Sequence, residues 1–296
     1  MTYRVIHRTE YRYESAVSES YGEVHLLPAD FAGQVCRESQ LRIEPEPHDV
    51  RQRTDFYGNR TAYFAVLEAH TRLTITAESV VDVDGRGGEP ALVGSQGWEV
   101  ARDRLRVHRP GDALDVRDFL LDSPMVATSP TLGAYAALSF SAGRPLVEAL
   151  ADFNSRINRD FAFKPGSTSV GTTLTELLER REGVCQDFAL LAIGCLRSIG
   201  LAARYVSGYI ETFPPPGRPR LVGADVSHAW ASLYVPDVGW VDFDPTNDQF
   251  VSDRHVTTAW GRDYRDVSPV KGVIYTESKS DEMDVSVDVA RIDEPA

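Results

Sequence analysis

The feature that most limits what this chain can fold into is a change of hydrophobic period at Gly200. Before it, apolar residues recur every three or four positions, which predicts one buried helical face ended by a glycine cap. After it, apolar and polar residues alternate, which predicts strands over 203–213, 227–235 and 239–244. We therefore expect a helix followed by a meander of strands. The helical face consists of Phe188, Leu191, Ala192, Cys195, Leu196 and Ile199.

Cys185 lies at the predicted start of this helix, one turn before Phe188. Unpaired N–H groups and the dipole of a helix N-terminus favour a negative charge, so they favour a thiolate. Asp187 in the same turn opposes this as a like charge, so the site needs a cationic partner such as histidine. The alternative is that Cys185 is a packing residue, which is our interpretation of mid-helix Cys195. Cys36, in a polar stretch, has no predicted role.

His228 and Asp244 stand on two of the predicted strands that follow. A cysteine, a histidine and an aspartate in this order form the pattern of a nucleophilic triad, in which the acid orients the imidazole that removes the thiol proton. Taken singly, His228 fits a strand histidine, and Asp244 before Pro245 fits the start of a turn. Asp242 is a rival for the acid. His255 is predicted to be a loop histidine, with a place beside the cleft as the alternative.

If His228 and Asp244 are to meet, the pairing register of the hairpin that joins their strands is restricted. A regular four-residue turn that pairs Val235 with Trp240 would place His228 and Asp244 on opposite faces of the sheet. Pairing Tyr234 with Trp240 instead places them on one face and diagonal to each other. We therefore predict an odd-length loop or a bulge, with the imidazole and the carboxylate hydrogen-bonded on the side of the predicted helix.

The 296 residues are enough for one large domain or two ordinary ones. Alternating segments such as "YRVIHRTEYRYE" and "RLTITAESVVDV" predict an antiparallel β-sandwich over residues 1–84. Glycine-rich sequence predicts a linker over 85–99, followed by a core over 100–272 and a C-terminal extension over 273–296. Within that core, a second helix is predicted from the spacing of Leu146, Leu150, Phe153 and Ile157.

Composition excludes several classes of partner. The net charge of −13 argues against nucleic acid and anionic membranes. No apolar run reaches transmembrane length, and the first residues carry no secretory signal pattern, so we expect a cytoplasmic protein. Three cysteines make a disulfide framework improbable. No motif indicates a metal, nucleotide or flavin, so no cofactor is expected, and the sequence does not predict the oligomeric state.

Three motifs carry a family resemblance: "GVCQDFALLAIGCLRSIGLAARYVSGYI", "SHAWASLYVPDVGWVDFDPTND" and "GRDYRDVSPVKG". Together, over residues from about 161 to about 272, they resemble the bacterial transglutaminase-like superfamily, whose members are often described as candidate cysteine proteases. The β-rich first part also resembles the N-terminal region of that family. The resemblance implies Cys185 as nucleophile, His228 as base and Asp244 as acid. It also implies an α+β fold: a papain-like or transglutaminase-like core with the cysteine helix packed on an antiparallel sheet. Many relatives have histidine where this chain has Leu190.

The chemistry implied is acyl transfer from a peptide or protein amide through a thioester on Cys185. Water resolves the thioester in a protease or amidase, and an amine resolves it in a transglutaminase; the sequence does not choose between them. The Cys185 N–H is a natural oxyanion donor, with Gln186 and Trp230 as guesses for a second. Two alternatives remain: a non-catalytic peptide-binding module on the same fold, and a metal site of Cys185, His228 and an acid. The metal site is the weaker, because the chain has no paired-ligand motif.

Overall fold

The computed structural model describes residues 1–85, 96–106, 114–169, 171–212, 227–277 and 281–292. Most of the predicted linker, residues 86–95, lies outside these ranges, as does the end of the first predicted core strand. The first part of the chain forms strands, as its alternating patterns predicted. They are β1 (Thr2–Val24), β2 (Gln34–Glu44), β3 (Asp49–Thr54), β4 (Arg60–Val66) and β5 (His70–Val83).

The next part is helical. It contains α1 (Trp98–Arg106), a 3-10 helix (Leu114–Leu120), α2 (Pro130–Ala137), α3 (Leu146–Asp160), α4 (Leu174–Arg180) and α5 (Cys185–Ser198). Two short parallel strands, β6 (Ala162–Phe163) and β7 (Glu182–Gly183), lie between these helices. α3 and α5 are the two helices predicted from periodicity, and Gly200 closes α5 in a left-handed conformation with φ of 84°. None of the helices in the described ranges is long and apolar enough to cross a membrane.

A five-stranded antiparallel sheet follows α5. Its strands are β8 (Ala203–Ile210), β9 (Ser227–Val235), β10 (Gly239–Asp244), β11 (Gln249–Phe250) and β12 (His255–Gly261), in the order β11-β10-β9-β8-β12. α5 packs on one face of this sheet, where Ala203, Ala229 and Ala231 are fully or almost fully buried in the same apolar cluster. These small side chains allow the helix to approach closely, and the predicted helix-on-sheet core is confirmed.

The last two strands correct the prediction of a C-terminal extension. β13 (Val270–Thr276) and β14 (Asp281–Arg291) pair antiparallel with β1, so this segment belongs to the N-terminal sheet. The physical reason is that β1 presents two long edges. β5 and β4 cover one edge, and β14 and β13 cover the other. An edge of that length left unpaired would expose a row of backbone donors and acceptors.

The N-terminal strands form a seven-stranded sheet in the order β2-β5-β1-β4-β3, with β13 and β14 also on β1. The first half of β1 pairs with β5 and its second half with β4, with an irregular register between Arg12 and Val17. The sheet curls there and encloses an apolar cluster built from β1, β2, β4 and β5. The antiparallel β-sandwich predicted for residues 1–84 is antiparallel and β-rich as expected, but it is one curled sheet whose two halves share β1.

The curled sheet and the core are joined by a common apolar cluster. It contains Tyr3 and Val289 from the curled sheet, and Tyr209 and Val256 from the core. Polar contacts cross the same boundary: the Tyr209 hydroxyl lies 3.0 Å from His7 Nδ1. Because β14 supplies part of this cluster, the end of the chain helps to fix the sheet onto the core.

This arrangement makes two valines on β14 unequal. Val289 is fully buried in the shared cluster, whereas Val285, four residues earlier, is 40% exposed. Val289→Ala should lower the free energy of unfolding by about 2 kcal/mol, because it removes buried methyl groups and leaves a cavity. Val285→Ala is the matched control and should cost less than about 0.5 kcal/mol. Urea denaturation measures both, and equal effects would contradict the placement of β14.

Candidate active site

Three strands of the core sheet bring polar side chains to one end of the sheet. His228 is the second residue of β9, Asp244 is the last residue of β10, and His255 is the first residue of β12. β9 and β12 are both antiparallel to β8, so they start at the same end, and β10 finishes there. Cys185, as the first residue of α5, reaches the same place from the helix.

The hairpin register predicted from the sequence is confirmed. Tyr234 pairs with Trp240, and the even register continues to Phe243 opposite Ala231. The loop is shorter than the five-residue form predicted, because Val235 and Gly239 also pair and leave residues 236–238 as a three-residue turn. The positive φ at Gly239 is typical of such turns.

His228 and Asp244 form a buried pair. His228 Nε2 lies 2.8 Å from Asp244 Oδ2, and the two side chains are 6% and 0% exposed. Asp244 Oδ1 accepts the backbone N–H groups of Thr246 at 3.0 Å and Asn247 at 3.3 Å. Asp244 Oδ2 also accepts the Asn247 side-chain amide at 2.6 Å and lies 3.4 Å from His255 Nε2. The carboxylate is therefore removed from solvent but surrounded by donors.

These contacts set the charge of the pair. Burial disfavours a charged His228 and lowers its pKa. The hydrogen bond with Asp244, and after it the hydrogen bond with Cys185, outweigh burial and raise the pKa of His228 to about 10. Burial likewise opposes a charged Asp244, and the hydrogen bonds from His228 and His255 outweigh it, so the pKa of Asp244 falls far below its ordinary range. At neutral pH the pair is an imidazolium beside a carboxylate.

Cys185 completes the group, because it hydrogen-bonds to His228. It is partly exposed, while Cys195 is fully buried in the core cluster. Asp187, expected to oppose a thiolate, is occupied elsewhere: its carboxylate accepts the Val184 N–H at 2.8 Å and the Thr168 hydroxyl at 2.6 Å. The sulfur therefore lies at a helix N-terminus and against the His228 imidazole.

One geometric expectation is wrong. The pair was predicted on the side of the sheet that carries the helix, but the residues of β9 that pack against α5 are Ala229, Ala231 and Leu233. His228 shares the opposite row with Trp230, whose ring centroid is 6.0 Å away. Cys185 still contacts His228 because it lies at the first position of α5, near the end of the sheet, and not along the body of the helix.

α3 fixes the turn that follows Asp244. The Asn158 amide donates to the Thr246 carbonyl at 2.8 Å and to the Pro245 carbonyl at 3.3 Å. The Ser155 hydroxyl donates to Asp248 at 2.6 Å. With its carbonyls held by α3, this turn donates the backbone N–H groups of Thr246 and Asn247 to Asp244. Sequence reasoning missed this role of α3, because Ser155 and Asn158 lie outside its buried apolar face and their partners are 93 and 88 residues further along the chain.

Asp242, the rival acid, has a different partner. Its carboxylate accepts the Trp230 indole N–H at 3.1 Å. That contact also removes Trp230 from the guesses for an oxyanion donor, because its indole N–H is already bound in a fully buried position. Trp230 packs closely at Gly208, where an added Cβ would lie 2.6 Å from the indole ring. Asp242 therefore supports the tryptophan beside His228, and Asp244 holds His228 itself.

His255 is not the loop histidine that was predicted. It begins β12, its side chain is fully buried, and its ring contacts Trp230 with centroids 5.3 Å apart. Among the described residues, the ligand atoms of His228, Asp244 and His255 lie within 4.8 Å of one another and could hold a metal ion. Cys185 is outside that group, so the three residues of the alternative metal site, Cys185, His228 and an acid, are not the set whose ligand atoms meet here.

Two family comparisons match this architecture. Residues 3–82 match the bacterial transglutaminase-like N-terminal region, and residues 137–245 match the transglutaminase-like superfamily. The chain is also 48% identical over 295 residues to an uncharacterized protein of Mycobacterium tuberculosis, covering 97% of this chain and 92% of the relative. The chain belongs to the bacterial transglutaminase-like superfamily. An uncharacterized protein of Mycobacterium leprae is 32% identical over 98% of both chains.

A solved structure shares the fold of this transglutaminase-like protein. A candidate cysteine protease from Cytophaga hutchinsonii superposes with a TM-score of 0.73, covering 100% of this chain and 92% of that one at 19% identity. A shorter similarity, 33% identity over 87 residues, links it to a protein-glutamine gamma-glutamyltransferase of Pseudomonas aeruginosa; it covers 29% of this chain and 13% of that protein. The papain-like or transglutaminase-like α+β core is thus shared with known structures.

The three thiols should differ in reactivity. Burial raises the pKa of Cys36 and raises that of Cys195 far above its ordinary value, whereas Cys185 lies partly exposed beside an imidazolium. Iodoacetamide at neutral pH should therefore modify Cys185 first, as located by peptide mass spectrometry. Cys185→Ala should remove the fast phase. Earlier modification of Cys36 or Cys195 would contradict the arrangement.

The His228 pair also gives a pH dependence. The pKa of His228 rises from 6.5 to about 10 on folding, so its charge stabilises the fold fully below pH 6.5, and this stabilisation is lost as pH rises to about 10. Asp244→Asn should lower the pKa of His228, measured by NMR of its ring proton, and shrink this pH-dependent stability. Asp242→Asn is the matched control, and an equal shift in both variants would remove Asp244 as the specific partner.

Proposed function

We propose that this protein is a thiol-dependent acyltransferase that acts on amides through a thioester on Cys185. The observation that carries the proposal is the buried His228–Asp244 pair with Cys185 against the imidazole. A packing cysteine has no need of a buried ion pair, whose desolvation is costly. A thiol nucleophile needs a base at that place and an acid to orient it.

The proposed reaction has two halves. The Cys185 thiolate attacks the amide carbonyl carbon, and the carbonyl electron pair moves to oxygen to give a tetrahedral intermediate. Collapse of the intermediate breaks the C–N bond, and the His228 imidazolium donates its proton to the leaving amine. Water or a second amine then attacks the thioester, His228 removes the proton of that nucleophile, and the Cys185 thiolate leaves. Asp244 keeps the imidazole oriented and stabilises its charged form.

The start of α5 supplies the natural oxyanion donors. The first N–H groups of a helix have no intrahelical partner, and those of Cys185 and Gln186 lie directly at the nucleophile. We assign the Cys185 backbone N–H as one donor and keep Gln186 as the candidate for the second. Trp230 is not used, because Asp242 accepts its indole N–H.

The relatives support both resolutions of the thioester. The structural neighbour is a candidate cysteine protease, for which water would be the acceptor. The Pseudomonas relative is named as a glutamine gamma-glutamyltransferase, for which an amine would be the acceptor. We therefore propose a peptide or protein amide as acyl donor, with water or an amine as acceptor. A peptide-binding module without catalysis is the alternative, and the buried ion pair at Cys185 argues against it.

Trapping tests the proposal. The protein is incubated with peptide amide libraries, with and without a dansylated alkylamine, and products and protein adducts are followed by mass spectrometry. An acyl adduct on Cys185, with release of amine or formation of a dansylated product, is the expected result. Cys185→Ala should reduce turnover by roughly 10³-fold or more, because nucleophile and base act as a unit.

The control for this test is Cys36→Ala, which should keep full turnover because Cys36 lies on β2 of the N-terminal sheet and is not one of the site residues. Turnover that survives in folded Cys185→Ala would refute the proposed nucleophile. Peptide binding without any adduct or turnover, across both acceptor conditions, would favour the binding module.

A further inference from the structure

His255 is a buried histidine with a defined partner on each ring nitrogen. Its Nδ1 lies 3.3 Å from the backbone N–H of Ser252, and its Nε2 lies 3.4 Å from Asp244 Oδ2. Its side chain is fully buried, and its backbone N–H donates to the Ser252 carbonyl at 3.2 Å. The ring is therefore held by both a turn and the start of β12.

These two contacts assign the tautomer. A backbone N–H can only donate, so His255 Nδ1 must accept and carries no proton. In a neutral imidazole the proton is then on Nε2, which faces Asp244 as a donor. The ring therefore gives a hydrogen bond to the same carboxylate oxygen that binds His228.

We propose that His255 is a positioning residue that donates its Nε2–H to Asp244 and holds the carboxylate in line with His228. It does not contact the substrate in this proposal, and its catalytic consequence rests on the proposed function. Asp244 Oδ2 otherwise has one further donor besides His228, the side chain of Asn247. Asn247 is exposed in the turn, whereas His255 is fully buried, so His255 is the rigid support on the inner side.

The same geometry speaks against a metal ion as the normal occupant of this group. A metal bound at His255 Nε2 would need the lone pair there, so the proton would move to Nδ1. The Nδ1 proton would then face the N–H of Ser252, and two donors would oppose each other. The contact with Ser252 thus favours a hydrogen-bonded group over a His228–Asp244–His255 metal site.

The tautomer can be tested without any activity. In the full-length protein labelled with ¹⁵N-histidine, long-range proton–nitrogen correlation spectra distinguish protonated from unprotonated ring nitrogens, and His255→Gln assigns the signals. We expect His255 at neutral pH to show an unprotonated Nδ1 and a protonated Nε2. An Nδ1-protonated ring, a charged ring, or a switch of tautomer on addition of stoichiometric Zn²⁺ would overturn the proposal.

The positioning role is tested by two substitutions. His255→Phe keeps a ring but removes the donor, and should lower kcat roughly ten- to a hundred-fold with KM within about two-fold. His255→Gln places an amide N–H near the position of Nε2 and should recover most of that loss. Exposed His48→Phe is the control for an unrelated histidine and should leave kcat unchanged. Equal losses for the Phe and Gln variants, or no loss, would overturn the role.

Failure of the acyltransfer proposal would look different from failure of this inference. If the wild-type protein shows no turnover, the NMR assignment still decides the tautomer, and the His228 ring proton still reports the support of Asp244. His255→Phe should then shift that proton, and His255→Gln should restore it. An unchanged His228 signal in folded His255→Phe would overturn the inference without bearing on Cys185.

Discussion

The buried ion pair of His228 and Asp244 is the contact on which the site depends. Neither charge faces water, so each must be satisfied by neighbours placed at the same end of the sheet. The even hairpin register puts the two side chains on one face, and a turn anchored by α3 supplies backbone donors. The start of α5 then brings a sulfur to the free side of the imidazole. The hairpin, the turn and the helix are separate elements, and together they place the groups that surround the Asp244–His228 pair.

Two aspartates on one strand illustrate how neighbours set the task of a side chain. Asp242 and Asp244 share a row on β10, but Asp242 binds the indole of Trp230 and Asp244 binds imidazoles. Next to Asp242, the guanidinium of Arg204 lies between Trp240 and Trp260, 4.3 and 4.5 Å from their ring centroids. This stack packs on the same face of the sheet as Trp230 and His228. Strand alternation puts both carboxylates on the face that carries His228, so it does not show which one binds the imidazole. The hydrogen-bond partners in the structure make that distinction.

Much of the core follows from sequence pattern, because local periods are strong there. The helical stripe after Cys185, the three strands and the hairpin register all depend on contacts between nearby residues, and the structure agrees with them. His255 was misjudged because its contact with Asp244 depends on how the whole sheet is assembled. β9 and β8 lie between β10 and β12 in the sheet, and no local sequence pattern shows that order. The C-terminal strands were misjudged for the same reason: a pattern shows that a segment is a strand but does not show its distant neighbour. The role of Thr168 likewise depends on a contact between separate elements, its hydrogen bond to Asp187 on α5.

The pairing of β14 with β1 has a consequence for biosynthesis. One whole edge of β1 finds its partners only among residues 270–291, so it waits until the ribosome has made the core between them. During that interval the nascent N-terminal sheet carries an open edge, the kind of surface on which chains aggregate or recruit chaperones. Closure then depends on contacts of very high sequence separation, which are slow to form. Translation and docking of the last strand, and not formation of the helix-on-sheet core, are therefore expected to time the maturation of this protein.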